Sequence, residues 1–157
     1  GVRVAAMCAG RVTDLGVTDA NNMGAAMAPA AADTIYNFLT DTATKPDDYD
    51  LIVTGDLSAV GSQLLLELLN RKGIDLGSRH ADCGLMMYDR SKQDVHAGGS
   101  GCGCSAAVLC SYLLGKMERK ELNSILFIGT GALMSPTSSQ QGESIPGIAH
   151  LVHLMSE

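Results

Sequence analysis

A chain of 157 residues is long enough for one domain with a real core, burying roughly 70% of its unfolded surface, and its 46% hydrophobic and 18% charged residues are an ordinary globular balance. The net charge of −6, with basic residues only in isolated pairs such as Arg71-Lys72 and Arg119-Lys120, argues against nucleic-acid binding and against electrostatic attachment to an anionic membrane. No apolar run approaches the ~18 residues that a bilayer span requires, and with aromatics at 4% and no Trp the core must be built from Ala, Leu, Ile, Val and Met.

The chain opens on Gly1-Val-Arg-Val4, which has no signal-peptide pattern and no initiator Met, so a partial chain is expected. Residues 2–8 alternate, placing Val2, Val4, Ala6 and Cys8 on one face of a strand. A polar loop, Gly10 to Asn22, follows, with Asn21 or Asn22 as the cap of a helix over residues 23–41. Met27, Ala31, Ile35 and Phe38 recur at helical spacing, and Pro29 should end the first turn or kink the helix. Lys45-Pro46-Asp47-Asp48 reads as a turn. Tyr49 to Thr54 reads as a short buried strand closed by Gly55. Ser58 to Arg71 reads as a helix with Val60, Leu64, Leu65, Leu68 and Leu69 inward and Gly73 as its stop.

Residues 79–95 are ambiguous, with Leu85-Met-Met-Tyr88 a candidate strand. A helix is expected from about Ser105 to Lys120, with Val108, Leu109, Tyr112, Leu113 and Met117 on its apolar face. Ser124–Gly129 and residues 147–155 read as strands, expected to pair antiparallel, with a polar loop from Thr137 to Ser144 between them. Strands alternating with helices predict an α/β domain, a sheet with helices on one face or both.

Four segments could carry chemistry. In His96-Ala-Gly-Gly-Ser-Gly-Cys-Gly-Cys-Ser105, the glycines Gly98, Gly99, Gly101 and Gly103 leave room for a ligand to approach the backbone. The helix that follows adds unpaired N–H groups and a positive dipole end. Together they suit a carboxylate or phosphate, with Ser100 beside them and His96 as a hydrogen-bond donor of variable charge. A tight structural turn is the alternative, and the segment matches neither the dinucleotide fingerprint nor the P-loop. The thiols Cys83, Cys102 and Cys104 with His96 lack the usual zinc-ligand spacing, so no metal site is expected. The odd count of five cysteines points to free thiols, and one beside a helix start could have a lowered pKa.

Gly129-Thr130-Gly131, after a buried strand, could turn its N–H groups into an oxyanion hole or be a plain turn. Asp56 follows a strand at the edge where α/β sheets place ligands, although a lone carboxylate there is more often a cap. His150 and His153, three apart on a strand, should face opposite sides.

Taken together these segments resemble the C-terminal half of a thiolase-like protein. Met23-Gly24 to Pro29-Ala30 is similar to the thiolase Met-Gly-x-Gly-Pro-x-Pro-Ala stretch, His96-Ala-Gly-Gly-Ser-Gly101 to the active-site His loop, and Leu126-Phe-Ile-Gly-Thr-Gly131 to the Leu-Cys-x-Gly-Gly-Gly stretch. A closer similarity, carried by His96–Ala106, Thr130–Ser138, Gly142–His150 and Tyr49–Asp56, is to the family of stage V sporulation protein AD. The resemblance implies a thiolase-like half, residues 1–157, with a mixed five-stranded sheet and helices on both faces. It would be layered α/β/α when paired with an N-terminal half that this chain lacks.

It also implies a soluble or peripheral component at the inner membrane of the developing spore. There it would bind dipicolinic acid, alone or with calcium, for uptake, alongside membrane proteins of the same system. The ligand-binding residues expected are His96, Gly98, Gly99, Ser100, Gly101, Thr130, Gly131 and Asp56, with no cofactor. Relative to thiolases, Gly55-Asp56 stands where the family has its catalytic Asn, and Phe127 stands where it has a proton-transferring Cys. A binder descended from an enzyme is therefore expected, the rivals being a coenzyme A-dependent acyltransferase of the thiolase or ketoacyl-synthase kind and a scaffold with a vestigial pocket. The Ala- and Met-rich helix is expected to contact the other half or a second copy.

Overall fold

The computed structural model describes every residue from Gly1 to Glu157. Three apolar runs supply the centre of the sheet: β2 (Leu51–Thr54), β4 (Ser124–Ala132) and β5 (Gly147–Ser156). Because side chains alternate across a strand, each run feeds both faces. Ile52, Leu126, Ile128, Ala149 and Leu151 face one core, and Val53, Ile125 and Leu154 face the other. With β1 (Val2–Cys8) and β3 (His80–Asp82) they form one mixed five-stranded sheet, in the order β1-β5-β4-β2-β3. Strand β2 is parallel to β3 and β4, whereas β5 is antiparallel to both β4 and β1.

On the first face lies α1 (Met23–Thr42), capped by the Asn22 side chain and ended by Ala43 in the left-handed region. Its alanines bring it close to the sheet, and α2 (Ser58–Arg71) lies across its outer side. At the crossing Gly24 and Gly61 meet backbone to backbone: a Cβ on Gly61 would sit 2.7 Å from the Gly24 carbonyl oxygen. Much of the apolar surface of α1 is covered by the sheet and by α2. The opposite face carries α4 (Cys104–Val108), which runs through a π-helical turn (Leu109–Leu113) into α5 (Leu114–Glu118).

Several sequence expectations are corrected. Residues 85–88 are not a strand: Asp82 accepts a hydrogen bond from the Leu85 N–H and caps the short helix α3 (Cys83–Met86), and the third strand is the preceding His80–Asp82. Pro29 does not end α1, which continues to Thr42. Alternation in β1 breaks at a bulge between Val4 and Ala6, so Val2 faces the α4–α5 core, Ala6 and Cys8 face the α1 core, and Val4 is exposed. Val60 and Tyr112 are exposed, the second on the π-helical turn, where the helical repeat slips. The Gly129-Thr130-Gly131 stretch is not a turn, because β4 runs on to Ala132 against the longer β5. Within the expected polar loop, Ser135 caps a short helix, α6 (Pro136–Gln140), through the Ser138 N–H.

Candidate ligand cleft and family membership

Parallel strands β2, β3 and β4 all end at the same edge of the sheet, and in open α/β sheets that edge is where ligands bind. Here β4 overshoots its neighbour. Thr54, the last residue of β2, pairs with Ile128, leaving Gly129–Ala132 bonded only to β5. The overhanging strand, the turn after β2, the glycine-rich loop and the start of α1 enclose an open cleft of about 300 Å³ lined by Met23, Met27, Asp56, Ser100, Gly101, Cys102, Ser105, Thr130, Gly131 and Ala132.

Asp56 ties the walls together. Its Oδ1 accepts the Thr130 hydroxyl proton (2.9 Å), and its own N–H donates to Thr130 Oγ1 (3.1 Å). Its Oδ2 accepts from the Gly101 N–H (3.1 Å), with Ser100 Oγ at 3.5 Å. Gly55 permits this approach, since a Cβ there would lie 2.8 Å from Thr130 Oγ1. No basic side chain lines the cleft, and its one carboxylate is Asp56.

Five expected ligand-binding residues therefore share the cleft: Asp56, Ser100, Gly101, Thr130 and Gly131. Gly98 and Gly99 lie behind it. The Gly99 N–H donates to the Gly84 carbonyl (2.8 Å), the Gly99 carbonyl accepts the Ser58 hydroxyl proton (2.7 Å), and Gly98 has φ +126° with Gly84 so close that a side chain would collide. His96 is not brought into the cleft. It has φ +49°, its side chain is 91% exposed, and its Nδ1 lies 3.5 Å from Asp94.

Sequence reasoning missed the group beneath the cleft. Asp82 is 1% exposed, and burial raises its carboxyl above the usual carboxylate range, with hydrogen bonds from Thr54, Ser58, Leu57 and Leu85 opposing the rise. Beside it the His80 Nε2 lies 3.1 Å from Thr54 Oγ1, and burial holds that imidazole down to about 4.

For Cys104, at the start of α4, a lowered thiol pKa is overturned. Burial raises Cys104, and the carboxylates of Asp56 and Asp82 add to the rise. Cys83 is pushed up to about 12, first by burial and then by Asp82. The remaining two histidines, His150 and His153, serve the scaffold from opposite faces of β5. His150 Nδ1 accepts the Gly10 N–H, and His153 lies edge-on to Tyr49 with its Nε2 2.8 Å from Ser124 Oγ.

The sequence model of stage V sporulation protein AD matches residues 1–155. The chain belongs to that family. The stage V sporulation protein AD of Bacillus subtilis (strain 168) is 49% identical over 149 residues, which cover 95% of this chain and 44% of that protein. The chain thus spans less than half the length of this curated relative.

Among solved structures, the fold is similar to 3-oxoacyl-[acyl-carrier-protein] synthase III of Aquifex aeolicus VF5 (TM-score 0.52, 11% identity, all of this chain and 54% of that one). It is also similar to a tetronic acid condensing enzyme (TM-score 0.55, 12% identity, 98% and 47%). At such identities the likeness establishes a thiolase-like fold alone. No helix is long and apolar enough to cross a membrane.

Proposed function

We propose that this chain is the second half of a non-catalytic thiolase-fold protein that holds dipicolinic acid, entering with calcium, for uptake into the developing spore. The observation that carries the reading is the state of Asp56. By the resemblance to thiolases, Gly55-Asp56 stands where those enzymes have their catalytic Asn, and Asp56 spends its oxygens binding Thr130 and Gly101 across the cleft. The space remains, while the neighbouring proton-transfer position of those enzymes is Phe127, packed against the α4–α5 core.

The small planar ligand suits a cleft of about 300 Å³ walled by glycine backbone and serine hydroxyls. Charge decides its form. A free dianion would meet the Asp56 carboxylate with no basic side chain in the lining, whereas calcium, which takes oxygen ligands, reconciles the two sets of carboxylates. The missing half, membrane partners of the same system and a location at the forespore inner membrane belong to this same reading.

Calorimetric titration of the complete protein with dipicolinate, with and without calcium, tests it. Saturable binding that tightens with calcium, and no steady thiol release from acetoacetyl-CoA, is the expected result. Absence of binding would favour the scaffold, and sustained thiol release would establish the acyltransferase.

A further inference from the structure

We propose that Asp82 is the positioning residue of the cleft, holding from below the turn that in turn holds the glycine-rich loop. The proposal rests on the reading of the cleft as a ligand site. Asp82 ends β3 outside the cleft lining, and its two oxygens take four hydrogen bonds. Oδ2 accepts the Thr54 hydroxyl proton (2.7 Å) and the Leu57 N–H (2.9 Å). Oδ1 accepts the Ser58 N–H (2.9 Å) and the Leu85 N–H (3.3 Å). No cation is among these partners, so the carboxylate is made tolerable by donors alone.

Those donors belong to the two supports on which the loop rests. The first is the β2–α2 turn. Ser58 sits there at φ +55°, a left-handed conformation that a side-chain-bearing residue keeps only when its surroundings enforce it. From that position the Ser58 hydroxyl donates to the Gly99 carbonyl (2.7 Å), and the Ala59 N–H donates to the Ala97 carbonyl (2.9 Å). The second support is α3, capped by Asp82, where the Gly84 carbonyl accepts the Gly99 N–H (2.8 Å). The loop then reaches forward, and its Gly101 N–H binds Asp56, which comes from the same β2–α2 turn. One buried carboxylate therefore fixes both ends of the contact that closes the cleft. An amide in its place keeps one acceptor oxygen and sets an NH₂ group against donors that need an acceptor.

The test uses the complete protein with Asp82→Asn, and with Leu69→Ala as a comparison that weakens the core at the far end of α2. Amide hydrogen exchange is read at Ala59 and Gly99 relative to the β4–β5 ladder, and dipicolinate affinity is read by calorimetry in calcium. Asp82→Asn is expected to raise that exchange ratio and to weaken affinity at least tenfold each. Leu69→Ala should lower Tm while changing neither. Should Asp82→Asn fail to fold, Thr54→Val, which removes one donor, must move both readings in the same direction by less. An unchanged exchange ratio in Asp82→Asn, or in Thr54→Val standing in for it, overturns the proposal. So does a raised ratio with unchanged affinity in a protein that binds. If the unaltered protein binds no dipicolinate, the ligand reading fails, and the exchange ratio alone then decides whether Asp82 positions the loop.

Discussion

Replacing Gly61 by alanine tests the fold and the cleft together. In an ordinary helix interior this change stabilises by about 1 kcal/mol, since glycine has more backbone freedom to lose. At Gly61 the new Cβ would lie 2.7 Å from the Gly24 carbonyl oxygen and 2.9 Å from the Gly24 carbonyl carbon and Cα, all backbone atoms that no rotamer change can move. The two helices must part by a few tenths of an ångström, and overpacking of this kind costs about 1–3 kcal/mol. The net expectation is a loss of up to about 2 kcal/mol once the helix-propensity gain is subtracted.

Gly24 is flanked by Met23 and lies one turn from Met27, both lining the cleft, so the parting should also weaken ligand binding. Gly115→Ala in α5 is the comparison, because its Cβ would meet only the flexible end of Arg119. Urea unfolding of the complete protein should show Gly61→Ala destabilised and Gly115→Ala neutral or stabilised. If Gly61→Ala gains stability as Gly115→Ala does, the close crossing of α1 and α2 is refuted.

Leu65→Ala, at a side chain with no exposure in the middle of α2, should cost about 2–5 kcal/mol in the same assay. His80 has its pKa lowered from 6.5 to about 4, so the unfolded chain binds the extra proton between those values; its contribution to stability rises with pH across that window by up to about 3 kcal/mol and is lost again on acidification. Asp82 acts in the opposite sense, its raised pKa making stability fall as pH rises above the usual carboxylate range. Subtracting the pH profile of His80→Leu from that of the unaltered protein isolates the histidine, and a flat difference from pH 4 to 6.5 would contradict its burial. Cys83 and Cys104, buried with raised pKa values, should resist iodoacetamide at pH 8 until denaturant is added; rapid native labelling at either would show that the α4 start is open.

What could be read from sequence follows from the length scale of each signal. Strands β2, β4 and β5 and helices α1 and α2 carry periodicity over enough residues to be recognised, whereas the alternation of strands and helices left open one covered face or two, and only the family resemblance implied the helices seen on both faces. Strand β3 is three residues, His80-Ala81-Asp82, with no apolar pattern; it exists because β2 offers it a parallel partner. The β1 bulge adds one residue and flips the faces of Ala6 and Cys8, a change invisible to a period-two rule.

In the cleft, sequence identified Asp56, the glycine loop and Thr130 as separate candidates. Their meeting joins positions 74 apart, which only the strand order determines. Asp82 escaped notice because a lone aspartate before a cysteine and a glycine has no local signature. His96 was legible as a motif residue, but the left-handed turn at its own backbone sends the side chain to solvent in this chain.

In the proposed function, the ligand occupies the space between Asp56, the glycine loop and the β4 overhang. Gly131→Val addresses it most directly. A Cβ at Gly131 meets only Ile148, its Cγ2 at 3.4 Å and its carbonyl oxygen at 3.9 Å, and valine is at home in a strand, so the change fills the cleft without breaking the sheet. In the complete protein, calorimetric titration with dipicolinate in calcium should show affinity reduced at least tenfold with Tm nearly unchanged. Unchanged affinity in a folded Gly131→Val protein would place the ligand elsewhere and contradict the account.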